Sequence, residues 1–146
     1  MGPHLSSAPY TSKAVCTPRD AIASHVRWKI ALLLAAQIRE PLTDRALEAI
    51  RIPAVCLVGI WLASEHTLHL RGTLEYCAVV DLHASFHGQM QRVSNLLQTG
   101  DYPQTLQILN APGPFQDASN SLANAIMALD RRLLLKPAQE KVILNK

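Results

Sequence analysis

The sequence predicts an all-α protein, a four-helix bundle with additional short helices. Three observations carry that expectation. The chain is 49% hydrophobic but only 5% aromatic, and its wealth of Leu and Ala favours helices over strands. Capping residues stand ahead of apolar runs. Prolines and one glycine end those runs at helical lengths. With 146 residues, one domain can bury about two-thirds of its unfolded surface and fold without a staple. The expected organisation is a flexible arm over residues 1–16, a helical domain over 17–136 and a polar tail over 137–146.

Met1 to Cys16 is polar and aperiodic, and it contains His4. Thr17-Pro18-Arg19-Asp20 then starts a helix, with a Thr cap, a Pro at the first helical position and an acid in the first turn. Ile22, Val26, Ile30, Leu33 and Leu34 recur near helical period, and Pro41 ends the helix at about Glu40. Thr43-Asp44 caps a short second helix, to about Arg51. From Pro53 to Ala63 nearly every residue is apolar. Periodicity does not settle the type of this run, but its initial Pro and its Ala, Leu and Trp suggest a short buried helix after a tight turn. Ser64 to Gly72 is polar and reads as a connection. Thr73 caps the longest helix, to about Thr99, and Gly100 stops it. Its apolar positions include Tyr76, Val79, Val80, Phe86, Met90, Val93 and Leu97, and His83 and His87 fall on or beside this inward stripe, since 76, 79, 80, 83, 87, 90 and 94 follow helical spacing. Tyr102 to Asn110 forms a short helix, and Ala111-Pro112-Gly113-Pro114 breaks it. A last helix runs from Asp117 or Ser119 to about Leu135, with Leu122, Ile126, Leu129 and Leu133 on its apolar face. Pro137 ends it.

Composition excludes several classes. A net charge of +3 is mild, and the basic residues are scattered without interleaved aromatics, which argues against a nucleic-acid partner. The three cysteines, Cys16, Cys56 and Cys77, are odd in number and irregularly spaced, unlike a secreted disulfide framework. The longest fully apolar run, Ile30 to Ala36, is far short of the ~20 residues of a membrane span. No basic region with an apolar core opens the chain, so no signal peptide is expected and the expected location is cytoplasmic.

The chemistry centres on His83-Ala84-Ser85-Phe86-His87. Residues four apart lie above one another on a helix, so two imidazoles share one face, and here that face is the inward stripe. Buried imidazoles need polar partners. A shared metal ion supplies them, and so do backbone groups or water. His25 upstream and Cys56 between extend the set, although a buried free thiol is also a common inert core residue. Gly59 allows close backbone packing near Cys56. One thiolate and three imidazoles make a full tetrahedral set for Zn²⁺, and mixed S/N ligation disfavours Mg²⁺ and Ca²⁺. His66 and His69 form a second pair, expected to be exposed. Trp28 and Trp61 are expected to pack around the site, and Cys77 to lie in the core or at its boundary.

Three segments in order carry a family resemblance: His25-Val26-Arg27-Trp28, Cys56-Leu57-Val58-Gly59-Ile60-Trp61 and His83-Ala84-Ser85-Phe86-His87. They resemble the bacterial chemoreceptor zinc-binding domain family. Its pattern is His-x-x-Trp or His-x-Trp, then Cys-x-apolar-Gly-x-aromatic, then His-x-x-x-His, with gaps of roughly two dozen residues. The match covers most of the chain, from about Pro18 to Leu135.

The resemblance implies a four-helix bundle with a three-His, one-Cys zinc site at His25, Cys56, His83 and His87. It implies a regulatory role, commonly as a homodimer, on a chemoreceptor or a diguanylate cyclase. In some members the zinc-bound cysteine responds to oxidants such as hypochlorous acid. Neither a long heptad stalk nor a cyclase signature is present in the chain, so the expectation is an excised sensor or a stand-alone module acting on a partner protein. A zinc-stapled homodimerisation module and an oxidant sensor through Cys56 are the alternatives. An enzyme is not expected, because four protein ligands leave no open position for a catalytic water.

Overall fold

A computed structural model describes the backbone of residues 17–144 and the side chains of residues 17–135. The expected arm over residues 1–16, His4 included, lies outside the described residues. Every regular element among the described residues is helical. In chain order they are α1 (Pro18–Ile38), α2 (Asp44–Arg51), a 3₁₀ turn (Pro53–Val55), α3 (Leu57–Leu62), a second 3₁₀ turn (Glu65–Leu70), α4 (Leu74–Gln98), α5 (Tyr102–Asn110) and α6 (Pro114–Leu144). No described helix is long and apolar enough to cross a membrane.

The capping signals do what their chemistry dictates. At α1, Thr17 Oγ1 accepts from the Asp20 amide at 3.1 Å and the Asp20 carboxylate accepts from the Thr17 amide at 2.9 Å, a reciprocal box that satisfies two otherwise orphaned donors. Thr43, Thr73 and Asp101 accept from the amides of Ala46, Tyr76 and Gln104 at the starts of α2, α4 and α5. Helix α1 ends at Ile38, two residues earlier than expected, because Arg39 turns into the left-handed region (φ 59°).

The long helices α4 and α6 pack along each other, and α1 packs against α3, α5 and α6. The core between them holds Leu32, Trp61, Phe86, Met90, Phe115, Leu122, Ile126 and Leu129. Trp61 is buried and Trp28 partly so.

Five expectations need correction. The inward face of α1 is Ala21, Ser24, His25, Leu32, Ala35 and Ala36, while Val26, Ile30 and Leu34 of the expected apolar face are exposed. A residue every four positions drifts about 40° per step around a helix, so that row winds away from a fixed core. The buried set keeps the mixed three-and-four spacing that stays on one side. On α4, Phe86, Val93 and Leu97 of the expected apolar set are buried, whereas Val80 leaves it and is 40% exposed. Cys77 is exposed. The last helix starts at Pro114 and continues past Pro137 to Leu144. Pro114 suits a first helical position because its missing N–H is one of the donors a helix leaves unpaired there. Pro137 removes one hydrogen bond within the helix but does not end it. The run from Pro53 to Ala63 is helical from Leu57, yet Val55 and Ile60 remain exposed.

Candidate metal centre

Helix α4 supplies the first two donors. His83 and His87 are both buried, and their rings meet edge to face with centroids 4.5 Å apart. His87 is fixed from behind by the chain leaving α2. Its Nδ1 lies 2.7 Å from the Ile50 carbonyl oxygen. A carbonyl only accepts, so Nδ1–H donates and the Nε2 lone pair is left for another partner. Metal-bound histidines are held in this way, by a second hydrogen bond that fixes tautomer and ring orientation.

The third donor comes from the other side. Cys56 follows the 3₁₀ turn Pro53–Val55 and caps α3 with extended backbone (φ −81°, ψ 163°). Its Sγ lies 2.9 Å from His83 Nε2. Gly59 makes this approach possible. A Cβ there would collide with the Pro53 carbonyl oxygen and stand 3.0 Å from Ala54 Cα. Tyr76 and Thr67 tie the end of α3 in place by donating to the Leu62 carbonyl at 2.7 and 2.8 Å.

The ligand atoms of Cys56, His83 and His87 all lie within 4.8 Å of one another, so these three residues could hold a metal ion. His25 on α1 is outside that set but lines the same cavity, together with Ser24, Trp28, Val58 and Phe86. The cavity is about 10 Å³, near the lower limit for one water molecule. The His25 ring stacks on Phe86 at 4.0 Å, with planes 8° from parallel. Its Nε2 is 2.8 Å from Ser119 Oγ on α6, while its Nδ1 is buried without a hydrogen-bond partner.

Burial dominates the electrostatics. Loss of solvent, helped by Lys29 and His87, holds His25 down to about 4. Loss of solvent, with His87 and His25 adding repulsion, holds His83 down to about 3. His87 is lowered too, although the Ile50 carbonyl favours its charged form. Burial pushes the Cys56 thiol up, against the pull of the Gly59 and Val58 amides. Without a cation the pocket therefore holds neutral imidazoles and a neutral thiol. A divalent ion reverses that preference, because it stabilises a thiolate and takes up imidazole lone pairs.

His66 and His69 are exposed on the turn Glu65–Leu70 and stand apart from this cluster. Sequence reasoning passed over Ser119, the Ile50 carbonyl and the stacking role of Phe86. Ser119 is one helical turn from Phe115 and Leu122, both core residues, so its inward placement follows from their period. Nothing in the sequence points to a main-chain acceptor. No family model, no curated protein and no solved structure matches the chain.

Proposed function

We propose that the chain is a zinc-binding regulatory module of the chemoreceptor zinc-binding type, built as a four-helix bundle, with His25, Cys56, His83 and His87 as ligands. The observation that carries this reading is the buried cluster of Cys56, His83 and His87 with donor atoms within 4.8 Å. Buried sulfur and imidazole donors suit a borderline-soft divalent ion, and zinc takes such sets tetrahedrally. The unpartnered Nδ1 of His25 on the same cavity supports a fourth ligand. Bound zinc would supply a fixed positive charge that favours the Cys56 thiolate and takes up the imidazole lone pairs. The chain's own residues do the rest. His87 is oriented by Ile50, His83 and Cys56 approach from facing elements, and His25 adds α1 to the set. Occupancy then couples to the relative placement of α1, α3 and α4. With four protein ligands no position remains for a reacting water, so the module is not catalytic.

Regulation passes to a signalling output in cis or in trans, in the cytoplasm, from a homodimer. An exposed apolar row on α1, Val26, Ile30, Leu34 and Ile38, supports association of two copies. It adjoins a groove of about 280 Å³ shared with Leu109 and Phe115.

Metal content by plasma mass spectrometry, on untagged protein purified without added metal, tests the centre. About one zinc per chain is expected for a closed four-ligand site, with less firmly held metal in Cys56→Ala and His83→Ala. No metal, or zinc indifferent to both substitutions, overturns it. The circular dichroism of stripped protein separates a sensor from a staple. A sensor keeps its helicity and takes zinc back, whereas a staple unfolds.

A further inference from the structure

Ser119 joins the last helix to the metal centre. It is 3% exposed, with its hydroxyl 2.8 Å from His25 Nε2. The opposite ring nitrogen, Nδ1, is buried without a partner on the cavity that Cys56, His83 and His87 also line. A neutral imidazole carries one proton on one of these two nitrogens, so the hydroxyl and the cavity compete for it. With the proton on Nδ1, the ring buries an unpaired donor and presents no lone pair to a cation. With the proton on Nε2, the ring donates to Ser119 Oγ and presents the Nδ1 lone pair. Either tautomer leaves one buried atom unsatisfied. Only the second can be relieved by a positive ion.

We propose that Ser119 is a positioning residue of the metal centre: by accepting the Nε2–H of His25 it makes His25 a ligand through Nδ1. The inference rests on the zinc reading above and deepens it. His87 provides the complementary case, because its Nδ1–H is taken by the Ile50 carbonyl and its Nε2 is left to bind. The two histidines thus present opposite ring nitrogens, each selected by the hydrogen bond on its far side. The stack of His25 on Phe86 limits tilting of the ring but permits sliding in its own plane, so the ring can approach the ion without leaving Phe86. The long helix α6 becomes part of the centre through one hydroxyl.

The test uses the full chain, ¹⁵N-labelled at histidine, stripped with chelator and then titrated with zinc. Long-range ¹H–¹⁵N spectra read which ring nitrogen carries the proton and which binds metal. The His25 resonances are assigned by their loss in His25→Ala. The expected result is an Nε2–H tautomer before zinc and a metal-shifted Nδ1 after it. An Nδ1–H tautomer that persists with zinc, or a metal-shifted Nε2, overturns the proposal using wild type alone. Competition against a chromophoric chelator then compares wild type, Ser119→Ala, His25→Ala and the double variant. Ser119→Ala should weaken zinc binding on the order of tenfold, the low end for a residue that orients a ligand. The double variant should lose no more than His25→Ala. Unchanged affinity in Ser119→Ala, or full additivity in the double variant, overturns the positioning role. Cys56→Ala keeps the two readings apart. If wild type takes up zinc, Cys56→Ala loses it and His25 is spectrally indifferent, the Ser119 inference fails together with His25 as fourth ligand, while the centre of Cys56, His83 and His87 stands. If wild type takes up no zinc, both fail.

Discussion

Replacing Gly59 by Ala tests whether the path of the chain around Cys56 is set by backbone packing. Helix propensity alone favours the change by about 1 kcal/mol, since Gly inside a helix is less favourable than Ala. Packing opposes it. The new Cβ would meet the Pro53 carbonyl oxygen, with Ala54 Cα at 3.0 Å and Ala54 C at 3.1 Å, where ordinary contact begins near 3.4 Å. These obstacles are main-chain atoms of the turn that delivers Cys56, so no side-chain rotation relieves them. Forced overpacking costs typically about 1–3 kcal/mol, and a rigid obstacle belongs at the upper end. The net expectation is a loss of about 2 kcal/mol, after the propensity gain is subtracted. Gly88→Ala is the matched control. It lies on α4 beside His87, and a Cβ there meets nothing within 4 Å, so the change should stabilise by up to about 1 kcal/mol. Urea unfolding of both variants as metal-free protein, followed by circular dichroism, measures the difference of about 3 kcal/mol. Gly59→Ala should also hold zinc less firmly, because moving the turn moves Sγ. If Gly59→Ala is as stable as Gly88→Ala, the packing account of the Cys56 turn is wrong.

Further expectations follow from the same contacts. The histidines are held neutral by burial, with His25 near 4 and His83 near 3 against an ordinary 6.5. The unfolded chain therefore takes up protons first as pH falls below 6.5, and the stability present above that pH is lost on the way down to the folded values. At pH 5 each of these two histidines should cost the metal-free protein about 2 kcal/mol; equal urea midpoints at pH 7.5 and pH 5 refute this. Phe86→Ala removes a 2% exposed ring and should cost about 3–5 kcal/mol, along with the stack that orients His25; a loss below about 1 kcal/mol in calorimetry contradicts that packing role. If the α1 row mediates association, Ile30→Glu should give monomers in sedimentation equilibrium while zinc content stays as in wild type. A dimer that survives Ile30→Glu places the contact elsewhere.

Much of the architecture was legible because its signals are local. The Thr17–Asp20 box, the Thr43 and Thr73 caps and the Gly100 stop depend on residues within one turn of each other. The inward placement of His83 and His87 followed from the period of α4. Aliphatic size points to Val26, Ile30 and Leu34 as the buried face of α1. The core instead takes the smaller set of Ala21, Ser24, Ala35 and Ala36, which lets neighbouring helices approach and leaves room for His25. Cys56 and His83, 27 positions apart, are joined in the sequence only by shared ligand chemistry and the family pattern, and long-range pairings without such a signal are not legible. Ser119 and His25 are separated by 94 positions, and a serine inside a helix has no feature that marks its partner. The last helix begins earlier than its apolar period suggests, because Pro114 serves as a starter and not as a breaker.

The contact between His87 and Ile50 has a consequence for how this site can change over time. Its acceptor belongs to the peptide backbone, and every amino acid brings the same carbonyl. No codon change at position 50 deletes it. Selection there acts on the side chain, which is 1% exposed in the core, and a mutational scan would score the position as an ordinary demand for a hydrophobe. The orientation of His87 is inherited with the seating of the end of α2 against α4. A shift of that helix end would mis-aim the imidazole while leaving every donor residue in place.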